Sequence, residues 1–149
     1  MNGNLNIREA VLEDIPQLQI VRNSVLENAL SDPTRITPAD YEEFLTQKGK
    51  GWVWKEDNKV AGFCIVDLTG NNVWALFVLP GFEKKGIGKK LHNTMLHWYF
   101  KETQSTIWLS TDPGTRAEMF YRKNGWIETG LYNREIKFEM NYDHWKSIL

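Results

Sequence analysis

The spacing of apolar residues changes several times along the chain, and each spacing predicts one kind of element. Residues 5–10 alternate between apolar and polar side chains, which indicates a short strand. Residues 12–30 place apolar side chains three and four positions apart, which is typical of an amphipathic helix. Because Pro16 is tolerated only in a first helical turn, this helix is expected to begin near Glu13 or Asp14.

The next segment predicts a second helix followed by closely connected strands. Thr37 followed by Pro38 is typical of a helix start, and this short helix is expected to end by Gly49. From residue 51 the apolar period falls to two, and three strands joined by tight turns indicate an antiparallel meander. Its last strand, residues 73–79, is apolar throughout and is therefore expected to be buried on both faces.

Helices and strands alternate in the second half of the chain. Residues 88–102 carry an apolar stripe that predicts a core-facing helix, and residues 105–110 have the composition of a strand. A right-handed crossover through that helix makes strands 73–79 and 105–110 parallel neighbours, so the sheet is expected to be mixed. The remaining predicted elements are a helix at residues 116–123 and strands at 126–131 and 135–140.

Length and composition narrow the class of protein. A chain of 149 residues with 42% hydrophobic and 25% charged residues is typical of one soluble globular domain, here residues 1–149. The net charge of −1 gives no general attraction to nucleic acid or to a membrane, so neither is expected as a partner. The sequence has no signal-peptide pattern and no apolar run near the ~18 residues of a membrane span, so we expect a cytoplasmic protein.

The turn after residues 73–79 carries the candidate chemistry. Gly86 and Gly88 stand where a helix begins, and the first turn of a helix offers unpaired backbone N–H groups at the positive end of its dipole. Glycine lets an anion approach such groups closely. Four lysines add positive charge, namely Lys84, Lys85, Lys89 and Lys90. The pattern predicts a phosphate-binding turn, although a solvated helix start whose glycines only shape the turn has the same pattern.

Two common phosphate-binding motifs do not fit this turn. A P-loop needs a lysine and a hydroxyl residue where Ile87 and Gly88 stand, and the dinucleotide fingerprint needs a third glycine where Leu91 stands. The turn resembles instead the acetyl-CoA signature of the GNAT family of N-acetyltransferases. That signature is a strand, Val-x-Pro, an aromatic residue and a Gln/Arg-x-x-Gly-x-Gly/Ala turn, and residues 78–82 and 83–88 match it in order.

A second segment also resembles the family. Residues 117–126 match its Ala-x-x-Phe/Leu-Tyr-x-x-x-Gly-Phe signature, with Trp126 at the final aromatic position. Two signatures in the right order, each on its predicted element, identify the chain as a member. Glu83 departs from the pattern where relatives usually have Gln or Arg, and Gly114 departs where relatives often place an Asn that contacts the cofactor.

The resemblance implies a fold and an activity. The expected fold is α/β, with a central mixed sheet of about seven strands and about four helices. The expected activity is direct transfer of acetyl from acetyl-CoA to a primary amine of a small molecule or peptide. The alternative is a non-catalytic acyl-CoA-binding or regulatory domain on the same fold, because fold does not fix function. Neither charge nor motif selects the acceptor.

The resemblance also assigns roles to residues. The strand before the glycine turn is expected to splay from its parallel neighbour, so that backbone groups of Phe77, Val78 and Leu79 bond the pantetheine amides. The Val78 N–H is also suited to receive the thioester oxygen. The diphosphate is expected on Lys84, Lys85, Gly86, Ile87, Gly88 and Lys89. The Tyr121 hydroxyl is the candidate donor to the departing thiolate, and the alternative is a tyrosine that only packs beside Phe120.

Other polar residues give weaker indications. The amine needs a base, and Asp67, Glu135 and Glu139 lie on strands that could border the splayed gap, although each also fits a solvated carboxylate. Glu27 and Arg35 flank the loop between the first two helices, which helps form the acceptor site in the family. Arg35 is a candidate to hold a substrate carboxylate.

Three further features are expected to be structural. Cys64 lies mid-strand among apolar residues and is expected to be a buried, inert thiol. His92 and His97 are five positions apart, which does not bring them to one helix face, so no metal is predicted. The apolar tail from Tyr142 to Leu149 is expected to pack on its own domain or on a second subunit, so a monomer and a homodimer are both open.

Overall fold

The structure is a computed structural model, which describes residues 6–25 and 36–149. Within these ranges the chain forms seven strands and five α-helices. The strands are β1 (Ile7–Glu9), β2 (Gly49–Glu56), β3 (Lys59–Asp67), β4 (Asn72–Val78), β5 (Ile107–Thr111), β6 (Ile127–Tyr132) and β7 (Glu135–Met140). The helices are α1 (Ile15–Ser24), α2 (Pro38–Glu43), α3 (Ile87–Glu102), α4 (Arg116–Lys123) and α5 (Tyr142–Ser147).

The strands form one mixed sheet in the order β1-β2-β3-β4-β5-β7-β6. Strands β1 to β4 are antiparallel neighbours, β4 and β5 are parallel, and β7 pairs antiparallel with both β5 and β6. Helix α3 connects the two parallel strands, as the predicted crossover requires. The mixed seven-stranded sheet expected from the sequence is therefore confirmed.

Helices cover both faces of the sheet. Trp52 and Trp54 of β2 pack in the core beneath α3, while Val53 between them packs in the core beneath α1. Alternate side chains of a strand point to opposite faces, so the predicted period of two is confirmed here. Because each face has its own core, the central strands are apolar on both sides.

Helix α1 is shorter than the sequence pattern predicts. The apolar pattern runs to residue 30, but α1 ends at Ser24 and Val25 is extended, with φ −88 and ψ 106. The rest of that pattern lies outside the described residues. The start of α1 agrees with the prediction, because the helix follows directly after a short 3-10 turn that ends at Asp14. The Asp14 carboxylate accepts the Val11 N–H at 2.8 Å.

Helix α2 begins and ends as predicted. The Thr37 N–H donates to Asp40 Oδ2 at 2.7 Å, and the Asp40 N–H donates to Thr37 Oγ1 at 3.3 Å, which satisfies two otherwise unpaired donors. Pro38 follows as the first helical residue. A π turn continues the segment to Lys48, so its predicted end by Gly49 is confirmed.

The C-terminal tail forms a fifth helix that the apolar pattern did not predict. Oδ1 of Asn141 accepts the His144 N–H at 2.8 Å and caps the start of α5. Trp145 stacks on Phe100 of α3 with ring centroids 4.8 Å apart, so the tail packs on its own domain. No helix within residues 6–25 and 36–149 combines the length and the apolar character needed to cross a membrane.

Candidate active site

Strands β4 and β5 separate soon after they meet. In the described residues their parallel ladder has one residue pair, Asn72 opposite Trp108, although both strands continue beyond it. Hydrogen bonds hold that end together: the Trp108 N–H donates to the carbonyl of Asn71 at 2.9 Å, and Nδ2 of Asn72 donates to the carbonyl of Trp108 at 3.1 Å. The rest of β4 therefore presents one edge to a gap in the middle of the sheet.

Backbone groups near the end of β4 divide between β3 and this gap. The Leu79 N–H donates to the carbonyl of Ala61 at 2.8 Å, across the β3 edge. N–H groups alternate in direction along a strand, so Phe77 also faces β3, whereas Val78 and Leu76 face the gap. Of the three backbone positions expected at the gap, Val78 presents its amide there. Leu76, which sequence reasoning did not single out, does so too.

A cavity of about 670 Å³ opens at the gap. Its lining residues are Val25, Leu76, Phe77, Val78, Pro80, Glu83, Gly86, Gly88, Lys89, Arg116, Ala117, Met119, Phe120, Tyr121 and Lys123. Leu76 and Val78 belong to the core beneath α3, whereas Phe77 belongs to the core beneath α1. The residues that line the cavity therefore pack on both faces of the sheet.

The predicted cofactor residues divide between the cavity lining and the core. Those in the lining are Phe77, Val78, Gly86, Gly88 and Lys89. Leu79 packs against the core beneath α1, and Ile87 is fully buried, so Ile87 can contact a ligand only through its backbone. The Lys85 ammonium lies 5.2 Å from the ring centroid of Phe82. The side chain of Lys84 lies outside the described part of the chain.

The glycine turn forms the start of α3. Gly86 has φ 74 and ψ 12, a left-handed conformation that glycine adopts without strain, and its carbonyl accepts the Lys90 N–H at 3.1 Å. A Cβ built on Gly88 lies 3.6 Å from Cγ2 of Val78, so α3 approaches β4 closely here. The first turn of α3 therefore brings backbone N–H groups without helical partners to the edge of the cavity.

Glu83, which departs from the family signature, is held by two contacts. Its carboxylate accepts the Gly81 N–H at 2.7 Å and forms an ion pair of 2.9 Å with Nη1 of Arg116, at the start of α4. Hydrogen bonds from the backbone N–H groups of Glu83 and Gly81, with a smaller contribution from Arg116, lower the pKa of this carboxyl. Glu83 and Arg116 both line the cavity, so Arg116 offsets the negative charge that Glu83 places in this turn.

Sequence reasoning missed two cations of the lining, Arg116 and Lys123. They stand at the first and last positions of α4. Their separation is close to two helical turns, which places them on one face of the helix. That spacing was visible in the sequence and is a signal that could have found them.

Tyr121 lies on α4, lines the cavity and is 6% exposed. Its ring meets those of Phe120 and Trp126 edge-on, with centroids 5.3 and 5.5 Å away. Burial raises the pKa of the Tyr121 hydroxyl well above its ordinary value, and the buried Cys64 adds to the rise. The hydroxyl therefore stays neutral and keeps a proton that it can donate in a hydrogen bond, and Tyr121 both packs in the core and lines the cavity.

The three carboxylates considered as bases have other contacts. Asp67 Oδ1 accepts the Gly70 N–H at 2.9 Å, and Glu135 accepts a hydrogen bond of 2.7 Å from the Ser110 hydroxyl. Glu139 pairs with a lysine of the same strand at 3.5 Å. None of the three lines the cavity in the described part of the chain. Glu27 and Arg35, the candidates from the acceptor loop, lie outside the described residues.

Cys64 is buried, as the sequence predicted. Its Sγ donates to the carbonyl of Leu91 at 3.6 Å, and burial raises the pKa of the thiol far above its ordinary range. A thiol that stays protonated and has no access to solvent is a poor nucleophile, so the prediction of an inert thiol is confirmed. Among the described residues, no group of three or more side chains of the His, Cys, Asp and Glu types is arranged to hold a metal ion.

A family model described as "Acetyltransferase (GNAT) family" matches residues 16–126. The chain belongs to the GNAT family. Its match to the peptidyl-lysine N-acetyltransferase YiaC of Escherichia coli K12 is 43% identical over 42 residues, which is 28% of each protein. The match thus spans little more than a quarter of that relative.

Solved structures of acetyltransferases share the fold of this chain. The PaiA N-acetyltransferase of Thermoplasma acidophilum in complex with coenzyme A superposes with a TM-score of 0.76 at 17% identity, covering 91% of this chain and 98% of that one. A GNAT acetyltransferase of Staphylococcus aureus Mu50 gives 0.79 at 20% identity, covering 92% and 98%. The ribosomal-protein-S18-alanine N-acetyltransferase of Escherichia coli gives 0.70 at 16% identity, covering 90% of each chain. The expected fold is therefore confirmed.

Proposed function

We propose that this chain is an acetyl-CoA-dependent N-acetyltransferase that acts on a primary amine of a small molecule or peptide. The observation that carries the proposal is the cavity at the gap between β4 and β5, which has the first turn of α3 at its edge and Tyr121 in its lining. Membership of the GNAT family supports the same activity. So does the fold that the chain shares with a structure bound to coenzyme A.

The residues present fit acetyl-CoA. The N–H groups of the first turn of α3, with Lys89 and Arg116 in the same lining, suit a diphosphate. The gap-facing amides of Val78 and Leu76 suit the pantetheine arm, which can pair with the free edge of β4 as an added strand does. A Cβ built on Gly86 meets no atom within 4 Å, so the turn leaves space where phosphates would lie.

Acetyl-CoA supplies the acetyl group as a thioester, and the chain positions and polarises it. The Val78 N–H donates a hydrogen bond to the thioester oxygen, where negative charge develops during the reaction. The amine nitrogen forms a bond to the acetyl carbon, the carbon–sulfur bond breaks, and the sulfur leaves as a thiolate. The Tyr121 hydroxyl donates a hydrogen bond to that sulfur.

The amine must lose a proton before it attacks, since an alkylammonium of pKa about 10.4 has no free electron pair. Within the described residues, Glu83 is the carboxylate of the cavity lining, and it is already paired with Arg116 at the phosphate end. We therefore assign proton removal to water rather than to Asp67, Glu135 or Glu139.

Peptide amines are the first acceptors to test. YiaC is a peptidyl-lysine N-acetyltransferase, and the Escherichia coli structure that shares the fold is a ribosomal-protein-S18-alanine N-acetyltransferase. Both names specify an amine within a protein. A cytoplasmic location is part of the proposal, because the single buried Cys64 has no internal partner for a disulfide.

The test uses the purified full chain, acetyl-CoA and a panel of amines that includes polyamines, aminoglycosides, amino acids and peptides with a free lysine or N-terminus. We expect release of free thiol that requires both the chain and one class of amine, together with an acetylated product in mass spectrometry. Binding of CoA without acetylation of any amine would favour a non-catalytic acyl-CoA-binding domain. Absence of CoA binding would remove the cofactor assignment itself.

A further inference from the structure

Arg22 of α1 is a largely buried cation whose hydrogen-bonding capacity is not fully used. Among the described residues, its Nε and Nη1 atoms are buried and have no hydrogen-bond partner. The guanidinium carbon lies 5.2 Å from the ring centroid of Trp74 and 4.9 Å from that of Phe77. The Tyr41 hydroxyl also interacts with it. Arg22 is thus surrounded mainly by aromatic rings.

The other arginine near α1 is satisfied in a different way. Arg8 donates from Nη1 and Nη2 to both carboxylate oxygens of Asp14, at 2.8 and 2.9 Å. Burial lowers the pKa of Arg22, yet a guanidinium keeps its charge in a protein. A buried charge needs a partner to offset its lost hydration. Within residues 6–25 and 36–149, Arg22 forms no ion pair of the kind that Arg8 makes.

Arg22 lies beside the cavity on the α1 face of the sheet, where it contacts lining residues without being one of them. Phe77, whose ring faces the guanidinium, lines the cavity. Val25 also lines it, and the Val25 N–H donates to the carbonyl of Arg22 at 3.3 Å. Tyr121 belongs to the core of the opposite face. Arg22 therefore lies on the side from which a second molecule would meet the acetyl group.

We propose that Arg22 binds a carboxylate of the acceptor, so that the acceptors of this chain are amines that also carry a carboxylate. This inference rests on the N-acetyltransferase function proposed above and names its substrate class. The unpaired Nε and Nη1 atoms provide donors, and the planar guanidinium matches the geometry of a carboxylate. The bound substrate supplies the anion that the described residues lack.

A carboxylate suits this position better than a phosphate dianion. Arg22 contributes one positive charge, Tyr41 adds a neutral hydroxyl, and Trp74 and Phe77 add apolar surface. One monoanion balances one guanidinium, and the apolar rings strengthen the attraction by excluding water. Free amino acids and peptides with acidic groups share this chemistry, and the experiment distinguishes them.

The test compares matched acceptors in the parent chain and in Arg22→Gln. Straight-chain amino acids from glycine to aminohexanoate are each paired with their primary amides, and kcat/KM is measured by thiol release. We expect Arg22→Gln to lower kcat/KM about 10²-fold for the carboxylate acceptors and less than about three-fold for the amides. Comparing the carboxylate-to-amide ratio between the two proteins cancels differences in amine basicity.

Two further variants and a peptide pair sharpen the result. Arg134→Gln removes an exposed arginine from the turn between β6 and β7 and should leave the ratio unchanged. Arg22→Lys keeps the charge without the planar fork and should give an intermediate ratio. Peptides with lysine beside aspartate or asparagine show whether the carboxylate comes from a peptide or from a free amino acid. Calorimetric binding of acetyl-CoA checks that each variant is folded.

Equal losses for carboxylates and amides, or no loss for either, would overturn the role of Arg22 and leave the proposed N-acetyltransferase function intact. Equal kcat/KM values for amide and carboxylate acceptors in the parent chain would also overturn the role of Arg22. If no amine is acetylated, the proposed function fails. The role of Arg22 is then tested by binding: the affinities of N-acetylaminohexanoate and of its amide for the CoA-loaded chain are compared in the parent and in Arg22→Gln. A carboxylate preference that Arg22→Gln abolishes supports the anion site, and no preference overturns it.

Discussion

Nε1 of Trp126 donates a hydrogen bond of 2.9 Å to Nε2 of His92 inside the core beneath α3. An indole N–H can only donate, so Nε2 of His92 is the acceptor and carries no proton. The neutral imidazole then has its proton on Nδ1, which lies 3.0 Å from Oδ1 of Asn93. Burial lowers the pKa of His92 to about 4. The folded chain therefore keeps this histidine neutral at acid pH values that protonate an exposed one.

The stability of the chain should fall as the pH is lowered from about 7 to about 5. In the unfolded chain His92 takes up a proton near its ordinary pKa of about 6.5, whereas the folded chain resists protonation until about pH 4. The unfolded state thus binds more protons in this window, and His92 should remove about 2 kcal/mol of the free energy of unfolding. Denaturant titrations at the two pH values measure the change.

A comparison of variants measures how much of this fall in the free energy of unfolding is due to His92. His92→Gln removes the titrating group, so its free energy of unfolding should fall less over the same window. His97→Gln, an exposed residue on the same helix, keeps His92 and should retain the parent's fall. Identical pH dependence in the parent and His92→Gln would contradict the prediction.

The negative charge of Glu83, which is paired with Arg116, should weaken acetyl-CoA binding. Both side chains line the cavity near the glycine turn, and the carboxylate repels an approaching diphosphate. Glu83→Gln should lower the Kd of acetyl-CoA by roughly two- to five-fold at low salt, as expected for a solvent-exposed charge. The gain should shrink as salt is added, since salt screens exposed charges.

Glu128→Gln is the matched control for that substitution. Glu128 is an exposed carboxylate of β6 that also pairs with an arginine, Arg122, but it is not in the cavity lining of the described residues. Its replacement should leave the Kd of acetyl-CoA unchanged at every salt concentration. A Kd for Glu83→Gln equal to that of the parent would mean that Arg116 already neutralises Glu83 for the ligand.

The elements that could be predicted from the sequence are those marked by the spacing of nearby apolar residues. The helix period after the glycine turn and the apolar strand before it were enough to predict a parallel crossover, because right-handed connection leaves one arrangement. The end of α1 was not predictable in the same way. Apolar spacing reports which side chains are buried, and it continues past Ser24 even though Val25 has an extended backbone. The tail helix was missed because its apolar residues are too few to show a period.

The candidate site was predictable where it rests on contiguous residues. The turn through Gly86 and the segment around Tyr121 are short motifs, and both border the cavity. Contacts between distant parts of the chain leave no such trace. Arg116 reaches Glu83 from another helix, and Arg22 is enclosed by rings of β4 that are close to it only after the sheet has formed.

A side chain at Gly86 should abolish binding of acetyl-CoA. Gly86 has φ 74, which strains other residues, and it borders the cavity where phosphates would lie. Gly86→Glu adds bulk and a negative charge there, so we expect at least roughly 10²-fold weaker binding in calorimetry. Gly130→Glu is the control, because Gly130 also has a positive φ and open space around it but lies on β6. Parent-like affinity in Gly86→Glu would rule out the phosphate turn.

Tyr121 should act as a hydrogen-bond donor to the leaving sulfur rather than as a full proton donor. An ordinary phenol has a pKa of about 10 and a thiol about 8.5, so proton transfer is already uphill by about 1.5 units. Burial raises the pKa of Tyr121 further and makes the transfer still less favourable. A hydrogen bond from the neutral hydroxyl would still stabilise the negative charge that develops on sulfur, and it requires no proton transfer.

Replacing Tyr121 by phenylalanine tests this role because the ring, which packs against Phe120 and Trp126, is retained. Tyr121→Phe should lower kcat roughly 10²-fold and change the Kd of acetyl-CoA little, since the missing contact forms only as the carbon–sulfur bond breaks. Tyr132→Phe, on the exposed strand β6, should keep the parent's kcat. If Tyr121→Phe acetylates the acceptor at the parent's rate, Tyr121 serves only to pack the core, and water must stabilise the departing thiolate.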